Sequence, residues 1–562
     1  MERRVLLAIS LSFVVLFLYQ RMFPPPSEPA SPAPASVAAP ATPGALSAPT
    51  AAPAPVAAPD SVVPVVQALT SDTAEREFVI ETQQVRAVFT NRGGRLKNWA
   101  LKQYPNRAGQ LVDLVPAESN AQPLPFSLAT SDVAQTARLN GELYAVENMA
   151  PERVDATATP AALTFVYEGA DGLSVRKRFT LEPSGYVILF NADVKQGGAA
   201  LNPSLVWGPG LGDEIARAAG SGGMFSGGYV YPAAGFIDLD GSIKRFAGAA
   251  ASTAGPQSGA FRYAGITDHY FVSALIEPPG TQRLDFAHVA LPDPAEPTLA
   301  RQLVSYTATF DRPPGDVRVF LGPKQFEALK AINPQFTKVI DFGMFAILAV
   351  PLLGALQWVH GYIGNYGWSI IVLTILINLV MWPLRHKSVV SMRKMQELQP
   401  QLKAIQDRYA HLKMTDPARG KMNEEVMALY KSKGANPASG CLPMLLTLPV
   451  LFAFYSLLSQ AIEIRGAPFA LWITDLSLRD PWYITPLLMG GTMFWQQRLQ
   501  PGTGDPVQQK VLMFMPVMFT AMFMTAPSGL VIYWFTSNLW AIGQQYFTNW
   551  LIGPAKPAGV KR

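Results

Sequence analysis

The stretch that most constrains this chain is NYGWSIIVLTILINLVMWPLRHKSVVSMRKMQELQPQ, residues 365–401. It opens on Asn365, Tyr366, Gly367 and Trp368, residues suited to a membrane–water interface where an amphipathic ring sits at headgroup depth. An apolar run from Ile370 to Leu384 follows, interrupted only by Thr374 and Asn378. With Trp368 and Ser369 that makes roughly 17 residues, the lower end of what crosses a hydrocarbon core of ~30 Å. Arg385, His386 and Lys387 then end the run with positive charge, the mark of the cytoplasmic side. Past them the helical rhythm continues but turns basic. One segment thus holds a membrane span, polar residues at mid-depth and the root of a cytoplasmic helix. Thr374, Asn378 and Arg385 stand four and seven residues apart, so one helical face carries a polar stripe from mid-membrane to the cytoplasmic surface.

Composition supports a membrane reading. Of 562 residues 49% are hydrophobic and 15% charged, and the net charge is only +5. The single cysteine, Cys441, excludes an intramolecular disulfide and a cysteine-based metal site. The five histidines lack ligand spacing and there is no GxxxxGK[ST] loop, so neither a metal nor a nucleotide cofactor is expected.

Read in order, residues 1–23 begin with Glu2-Arg3-Arg4 and an apolar run that lacks a small-residue cleavage site, which predicts an uncleaved transmembrane signal anchor. Residues 24–74 are mostly Pro, Ala, Ser and Val, a composition that cannot bury a core and predicts a disordered tether. Residues 75–323 hold short alternating stretches such as EFVIETQQVRAVFT, ALTFVYEG, LSVRKRFTLE and YVILFNADVK between Gly, Pro, Asn and Asp clusters, the texture of an all-β sandwich. The Asp268-His269 pair within it reads as structural. Residues 324–364 are a linker, with one helix expected over 323–340 and an amphipathic helix over 342–362 lying in the interface, because the next span begins too soon for a second crossing.

In 386–436 the residues Met392, Met395, Leu398, Leu402, Ile405, Tyr409 and Leu412 follow a three- and four-residue rhythm, Pro400 predicts a kink, and Asp416-Pro417 opens a second helix. This is a cytoplasmic helical hairpin with a basic exterior. Apolar segments at 441–458, 482–499, 511–526 and 529–550 add four spans, and a basic tail occupies 553–562. The fold class is therefore a polytopic α-helical membrane protein with six transmembrane helices, both termini cytoplasmic and one large outer β domain. The five C-terminal spans carry no Asp, Glu, Lys or Arg at mid-depth, unlike most ion-coupled carriers.

Residues 341–550 resemble the YidC-type membrane protein insertase family. The resemblance is carried by NYGWSIIVLT, SMRKMQELQPQLKAIQ, EEVMALYKSKGANPASGCLPMLL, APFALWITDLSLRDPWYI and APSGLVIYWFTSN. The anchor, tether and β domain look like the Gram-negative version, whose periplasmic sandwich is related to sugar mutarotases. The resemblance implies five core helices around a hydrophilic groove open to cytoplasm and lipid, in the bacterial inner membrane. It implies groove residues Thr374, Asn378, Arg385, Thr447, Tyr533 and Trp534, and a substrate slide at Leu448, Pro449, Phe452, Met522 and Phe523. Its expected partners are nascent inner-membrane proteins, the Sec translocon, the ribosome and membrane lipids, with no sequence-specific nucleic acid. Arg393, Lys394, Lys403 and Arg408 are the expected ribosome contacts. In two places the sequence departs from the family: Asn378 stands where an arginine is usual, and Thr447 where a longer polar residue is common. On this reading the groove is uncharged at its centre and Asn378→Arg is tolerated. The expected role is insertion rather than bond-making catalysis. The competing readings are a small-solute carrier and a membrane-anchored, carbohydrate-active periplasmic domain.

Overall fold

The computed structural model describes residues 68–106, 109–115, 123–147, 151–211, 233–239, 241–248, 250–280, 282–292, 300–313, 315–409, 418–433, 442–499 and 506–552. The expected anchor, the tether up to 67, Asp416-Pro417 and the tail lie outside these residues. The chain divides into two compact units that meet between Gly322 and Pro323.

The first unit is β-rich. An eleven-stranded antiparallel sheet has Ala161–Gly169, Leu173–Leu181, Val187–Gln196 and Val317–Pro323 as neighbours along one half and Phe271–Ile276, Tyr263–Thr267 and Ala234–Leu239 along the other. Ala68–Thr70, within the stretch read as tether, pairs with Ala161–Gly169 at its edge. Two five-stranded sheets accompany it, one built on Gln282–Pro292 and Ala300–Phe310, the other on Val85–Thr90 and Arg95–Pro105. Alternation decides which side chains go inward: Leu163, Phe165 and Tyr167 on one strand and Val175, Phe179 and Leu181 on its neighbour are buried, with polar residues between them. All three sheets contribute to one aromatic core. Phe179 packs 4.7 Å from Phe89 and 5.2 Å from Phe126, whose ring lies 5.5 Å from Trp207 (centroid distances).

Lys177 occupies an inward position on the same strand, where the alternation calls for an apolar residue. Its ammonium donates to the carbonyls of Gly93 at 2.6 Å and Phe126 at 2.9 Å, so its hydrogen bonds are met by backbone rather than by a carboxylate. Burial pushes its pKa well below the ordinary lysine range. The Asp268 carboxylate accepts from the N–H groups of Tyr270 and Phe271 and closes a turn between two buried strands.

The second unit is helical. The single helix expected over 323–340 is two pieces, α1 (Phe326–Ile332) and a 3-10 turn (Pro334–Val339). Pro334 cannot continue α1, and Asn333 caps the new start by accepting from Gln335 N–H at 2.9 Å. Next come α2 (Ala346–Ile363) and α3 (Tyr366–Glu397), joined by Gly364 and Asn365. Gly364 takes φ +71°, a conformation that favours glycine, and its N–H donates to His360 O at 2.7 Å to close α2. By length and composition, 343–363 and 366–391 are each apolar and long enough to cross a membrane. At 32 residues α3 is about 48 Å long, more than a ~30 Å hydrocarbon core requires, and its C-terminal part is the first arm of the basic segment.

The kink expected at Pro400 falls at Leu398, where α3 hands over to α4 (Gln399–Arg408). α5 (Ala418–Ser432) packs on α4, with Leu398 and Ile405 buried along the expected seam. The remaining helices are α6 (Leu442–Gln460), α7 (Ile484–Leu499), α8 (Pro506–Phe523) and α9 (Ser528–Ile552). α9 packs on α3 and α7, α7 on α8, and α2 on α3 and α6. Close approach explains Gly490 on α7: a Cβ there would meet Thr520 Oγ1 of α8 at 1.9 Å.

Candidate functional site

Thr374, Asn378 and Arg385 lie on one face of α3, and the structure joins them into a chain of hydrogen bonds. Thr374 Oγ1 donates to Ile370 O at 2.6 Å and Asn378 Nδ2 to Thr374 O at 2.7 Å. Arg385 then reaches back seven residues, and its Nη1 donates to Asn378 Oδ1 at 2.6 Å. Its second terminal nitrogen points across to α6, 3.5 Å from Thr447 Oγ1. Asn378 is only 3% exposed, so the amide that receives the guanidinium lies inside the helix cluster. The centre of this path is therefore not uncharged. A cation reaches it from two turns further along α3, held by Asn378 and Thr447 in positions where the family usually has an arginine and a longer polar residue. This corrects the expectation drawn from Asn378 alone. Two of the five guanidinium donors are engaged by these partners, which leaves donors to serve water or a passing peptide carbonyl.

The other expected groove residues divide. Tyr533 is buried on α9, stacked on Phe454 of α6 at 4.3 Å and 13°, within electrostatic range of Arg385. Trp534 points elsewhere, into an aromatic cluster with Phe519 at 5.6 Å and Phe523 at 5.0 Å. Of the slide residues, Phe523 is buried beneath Trp534, while Leu448, Pro449 and Met522 are half-buried. Phe452 stacks on Phe345 at 5.3 Å, where the turn that leads into α2 crosses α6. Met513, Phe514, Val517 and Met518 are the exposed apolar residues of α8 that the sequence did not single out. Their i, i+1, i+4, i+5 spacing on a proline-containing helix was the available signal. The uncharged polar residues of α7 and α9 act as glue: Asn538 Nδ2 donates to Met489 O at 3.3 Å and to Thr492 Oγ1 at 3.2 Å.

On the basic segment Lys394 and Lys403 are exposed. Arg408 is exposed too but pairs with Glu425 of α5 at 2.7 Å, and Tyr409 donates to the same carboxylate at 2.7 Å. Arg393 lies on α3, its side chain outside the described residues. Among the described residues no cluster of three His, Cys, Asp or Glu side chains forms a candidate metal site.

Two family descriptions match the chain: "60Kd inner membrane protein" over 358–553 and "YidC periplasmic domain" over 77–355. A membrane protein insertase YidC of Syntrophus aciditrophicus is 33% identical over 577 residues, covering 98% of this chain and 99% of the relative. One from Geobacter metallireducens is 33% identical over 566 residues, covering 99% and 100%. The chain belongs to the YidC family of membrane protein insertases. A crystal structure of an active YidC insertase with its first transmembrane domain resolved covers 86% of this chain and 95% of its own, at 16% identity and a TM-score of 0.35. YidC relatives are inner-membrane proteins with a periplasmic domain, and the strands of the β-rich unit from Glu77 to Pro323 fall within the span matched by that domain's description.

Proposed function

We propose that this chain inserts nascent inner-membrane proteins through the path lined by Thr374, Asn378, Arg385, Thr447 and Tyr533, alone or beside the Sec translocon. The observation that carries the reading is the guanidinium of Arg385 drawn back onto Asn378 and Thr447. Magnitudes say what such a path must do. A substrate span of ~20 residues gains about 6–12 kcal/mol when its Leu, Ile, Val and Phe enter lipid, at about 0.3–0.6 each. A charged residue in its flank costs about 2.5–3.5 kcal/mol at mid-membrane. The overall transfer is favourable without a nucleotide, so the obstacle is the barrier met while the polar flank is inside. A row of hydrogen-bonding groups and one cation lowers that barrier by standing in for water. The apolar residues of α6 and α8, Leu448, Pro449, Phe452, Met522 and Phe523, guide the substrate helix outward.

In this arrangement the chain has six spans, with an N-terminal anchor, both termini in the cytoplasm and the β domain in the periplasm, while α2 lies in the interface. Lys394 and Lys403, with Arg393 and Arg408, form a basic platform for the ribosome. The test is depletion in cells followed by an inventory of membrane proteins. A subset with short translocated flanks should remain uninserted, and a complete, unaltered set would remove the proposal. Replacing Lys394 and Lys403 with Glu should reduce ribosome co-sedimentation and make the remainder more salt-sensitive. Unchanged co-sedimentation would leave that charge with a topological role alone.

A further inference from the structure

The loop 467–483, between α6 and α7, is tied by its backbone to the starts of two helices. Asn365 Nδ2, just ahead of α3, donates to Pro468 O at 3.2 Å and to Phe469 O at 3.0 Å. At the start of α9, Ser528 N–H donates to Leu478 O at 2.7 Å and Gly529 N–H to Leu476 O at 2.9 Å. Ile473 and Leu476 are buried beneath the loop. Asp480 is fully buried, and its carboxylate accepts from Trp472 Nε1 at 3.0 Å, Trp482 N–H at 2.9 Å and Thr485 N–H at 2.7 Å. One carboxylate thus fixes both indoles, which stack at 5.5 Å and 17°.

A loop held this firmly presents an apolar tip. Ile473 N–H donates to Ala470 O at 3.1 Å and closes a four-residue turn with Leu471 at its second position. Leu471 takes φ +56°, which at that position favours glycine or asparagine. It is 87% exposed, the highest value for a large hydrophobic side chain among the described residues, and Trp482 is 64% exposed. The turn alone would be better served by glycine, so the leucine is explained by what its side chain meets outside the protein.

Three observations identify that surrounding. The first is composition: Leu471, Trp472, Pro481 and Trp482 form one surface, and indoles favour the depth where headgroups meet acyl chains. The second is continuity. Leu471 and Trp472 line the same hollow as Ile375 of α3 and Leu488 of α7, exposed apolar residues on helix flanks, so the tip faces sideways along the helices. The third is charge. Of the charged residues in 461–483, the three acids are occupied internally: Glu463 accepts from Phe326 and Gln357, Asp475 from Ser477, and Asp480 from the tryptophans. Arg479 is exposed, its guanidinium 5.7 Å from the Tyr483 ring centre. The charge turned outward is therefore a guanidinium, which pairs with phosphate.

We propose that the loop 467–483 is a wedge in the outer leaflet: Leu471 and the Trp472–Trp482 pair lie among the glycerol backbones and upper acyl chains of phospholipid, with Arg479 at phosphate depth. The outer leaflet follows from Asn365, which joins the loop to the end of α3 opposite its basic arm. Through the same contact the wedge sets the depth of α3 and of the Thr374–Arg385 path. The proposal rests on the reading of α3 and α9 as spans with that basic arm in the cytoplasm.

The experiment uses the full chain with its one cysteine removed by Cys441→Ser, in vesicles of phosphatidylethanolamine and phosphatidylglycerol. A nitrobenzoxadiazole label is attached at Leu471→Cys, at Leu539→Cys on the exposed flank of α9, or at Ser184→Cys on the surface of the β unit. Quenching is read with lipid spin labels placed high on the acyl chain or near its end, and with iodide in the water. Leu471→Cys should be quenched at least twofold more by the high spin label than by the deep one, and at least fivefold less by iodide than Ser184→Cys. Because the label is itself apolar, the bare thiol gives a second reading. Leu471→Cys should react with a charged methanethiosulfonate at least tenfold more slowly than Ser184→Cys. A tip standing in water would match Ser184→Cys in both readings, and a tip covered by protein would be shielded from iodide and lipid alike. Either result, with Leu539→Cys quenched by lipid, overturns the wedge alone. No lipid quenching at Leu539→Cys would overturn the span reading and the wedge with it.

Discussion

Arg385 illustrates what one side chain can do that its position in the sequence does not show. Spacing on α3 placed it on the same face as Thr374 and Asn378, and that much was legible. Its fold-back was not, because a long flexible side chain at i+7 reaches either water or the helix interior, and only the partner on α6, Thr447, decides. The consequence changes the forecast for Asn378. A second guanidinium at 378 would sit beside the first, and like charges ~4 Å apart repel by about 4 kcal/mol at an effective dielectric of 20. Asn378→Arg is therefore expected to impair insertion at least severalfold, against the tolerance that the resemblance alone implied. Adding Arg385→Thr should restore it, since the cation is then supplied once, from 378. Insertion of a short substrate scored by protease protection checks the pair, and a double variant no better than the single would mean that the charges do not share a site. Lys177 makes the same point in the β domain. Nothing in a strand's alternation announces that an inward lysine is satisfied by two carbonyls from turns far along the chain.

Among elements, those with a clear period were readable and those without were not. The hairpin Ala161–Gly169 and Leu173–Leu181 alternates and was found. Tyr263–Thr267 is buried at every position, so it has no period to detect. The helices after 441 were legible to within a few residues because apolar runs of that length have few alternatives. The break at Asn333-Pro334 was carried by the proline itself and passed over. It has a structural purpose: it frees α1 to meet the turn Ile462–Ile464 after α6. There Glu463 accepts from Phe326 N–H at 3.2 Å and from Gln357 Nε2 at 3.2 Å, tying α1 and α2 to one carboxylate. Burial raises the pKa of Glu463 above the ordinary glutamate range, with the nearby charge of Glu327 adding to it. A folded pKa above the unfolded one means the folded state holds the proton more tightly. This contribution to stability is full below the ordinary glutamate pKa and is lost as pH rises through the folded value. Thermal unfolding of the purified chain should show that decline. Glu463→Gln, which keeps an acceptor and cannot ionise, should flatten it. Glu463→Ala should cost about 1–3 kcal/mol below the ordinary glutamate pKa, from two donors left without an acceptor, and less as pH rises, because the variant also loses the titration. A wild-type profile that rises over the same interval would contradict the burial argument. In the basic hairpin the Arg408–Glu425 pair is exposed and worth only about 0.2–1 kcal/mol, so Arg408 is a poorer guide to ribosome contact than Lys394, which has no ion pair among the described residues.

For the whole molecule, the expected β domain of 75–323 ends with the last strand of the described β unit, at Pro323, but starts seven residues after its first strand, because Ala68–Thr70 is defined only by the strand it pairs with, about 100 residues away. The hydrogen-bonded path and the apolar helices that flank it all belong to the second unit, and the account makes that unit the seat of insertion. A single assay compares the two halves of that claim: insertion of a short, Sec-independent substrate into vesicles, measured by protease protection at matched protein levels. A chain lacking residues 68–322 should retain most of its insertion, whereas full-length Asn378→Leu, which removes the acceptor that holds Arg385 in the path, should lose at least tenfold. Insertion abolished by the deletion but unaffected by Asn378→Leu would contradict it.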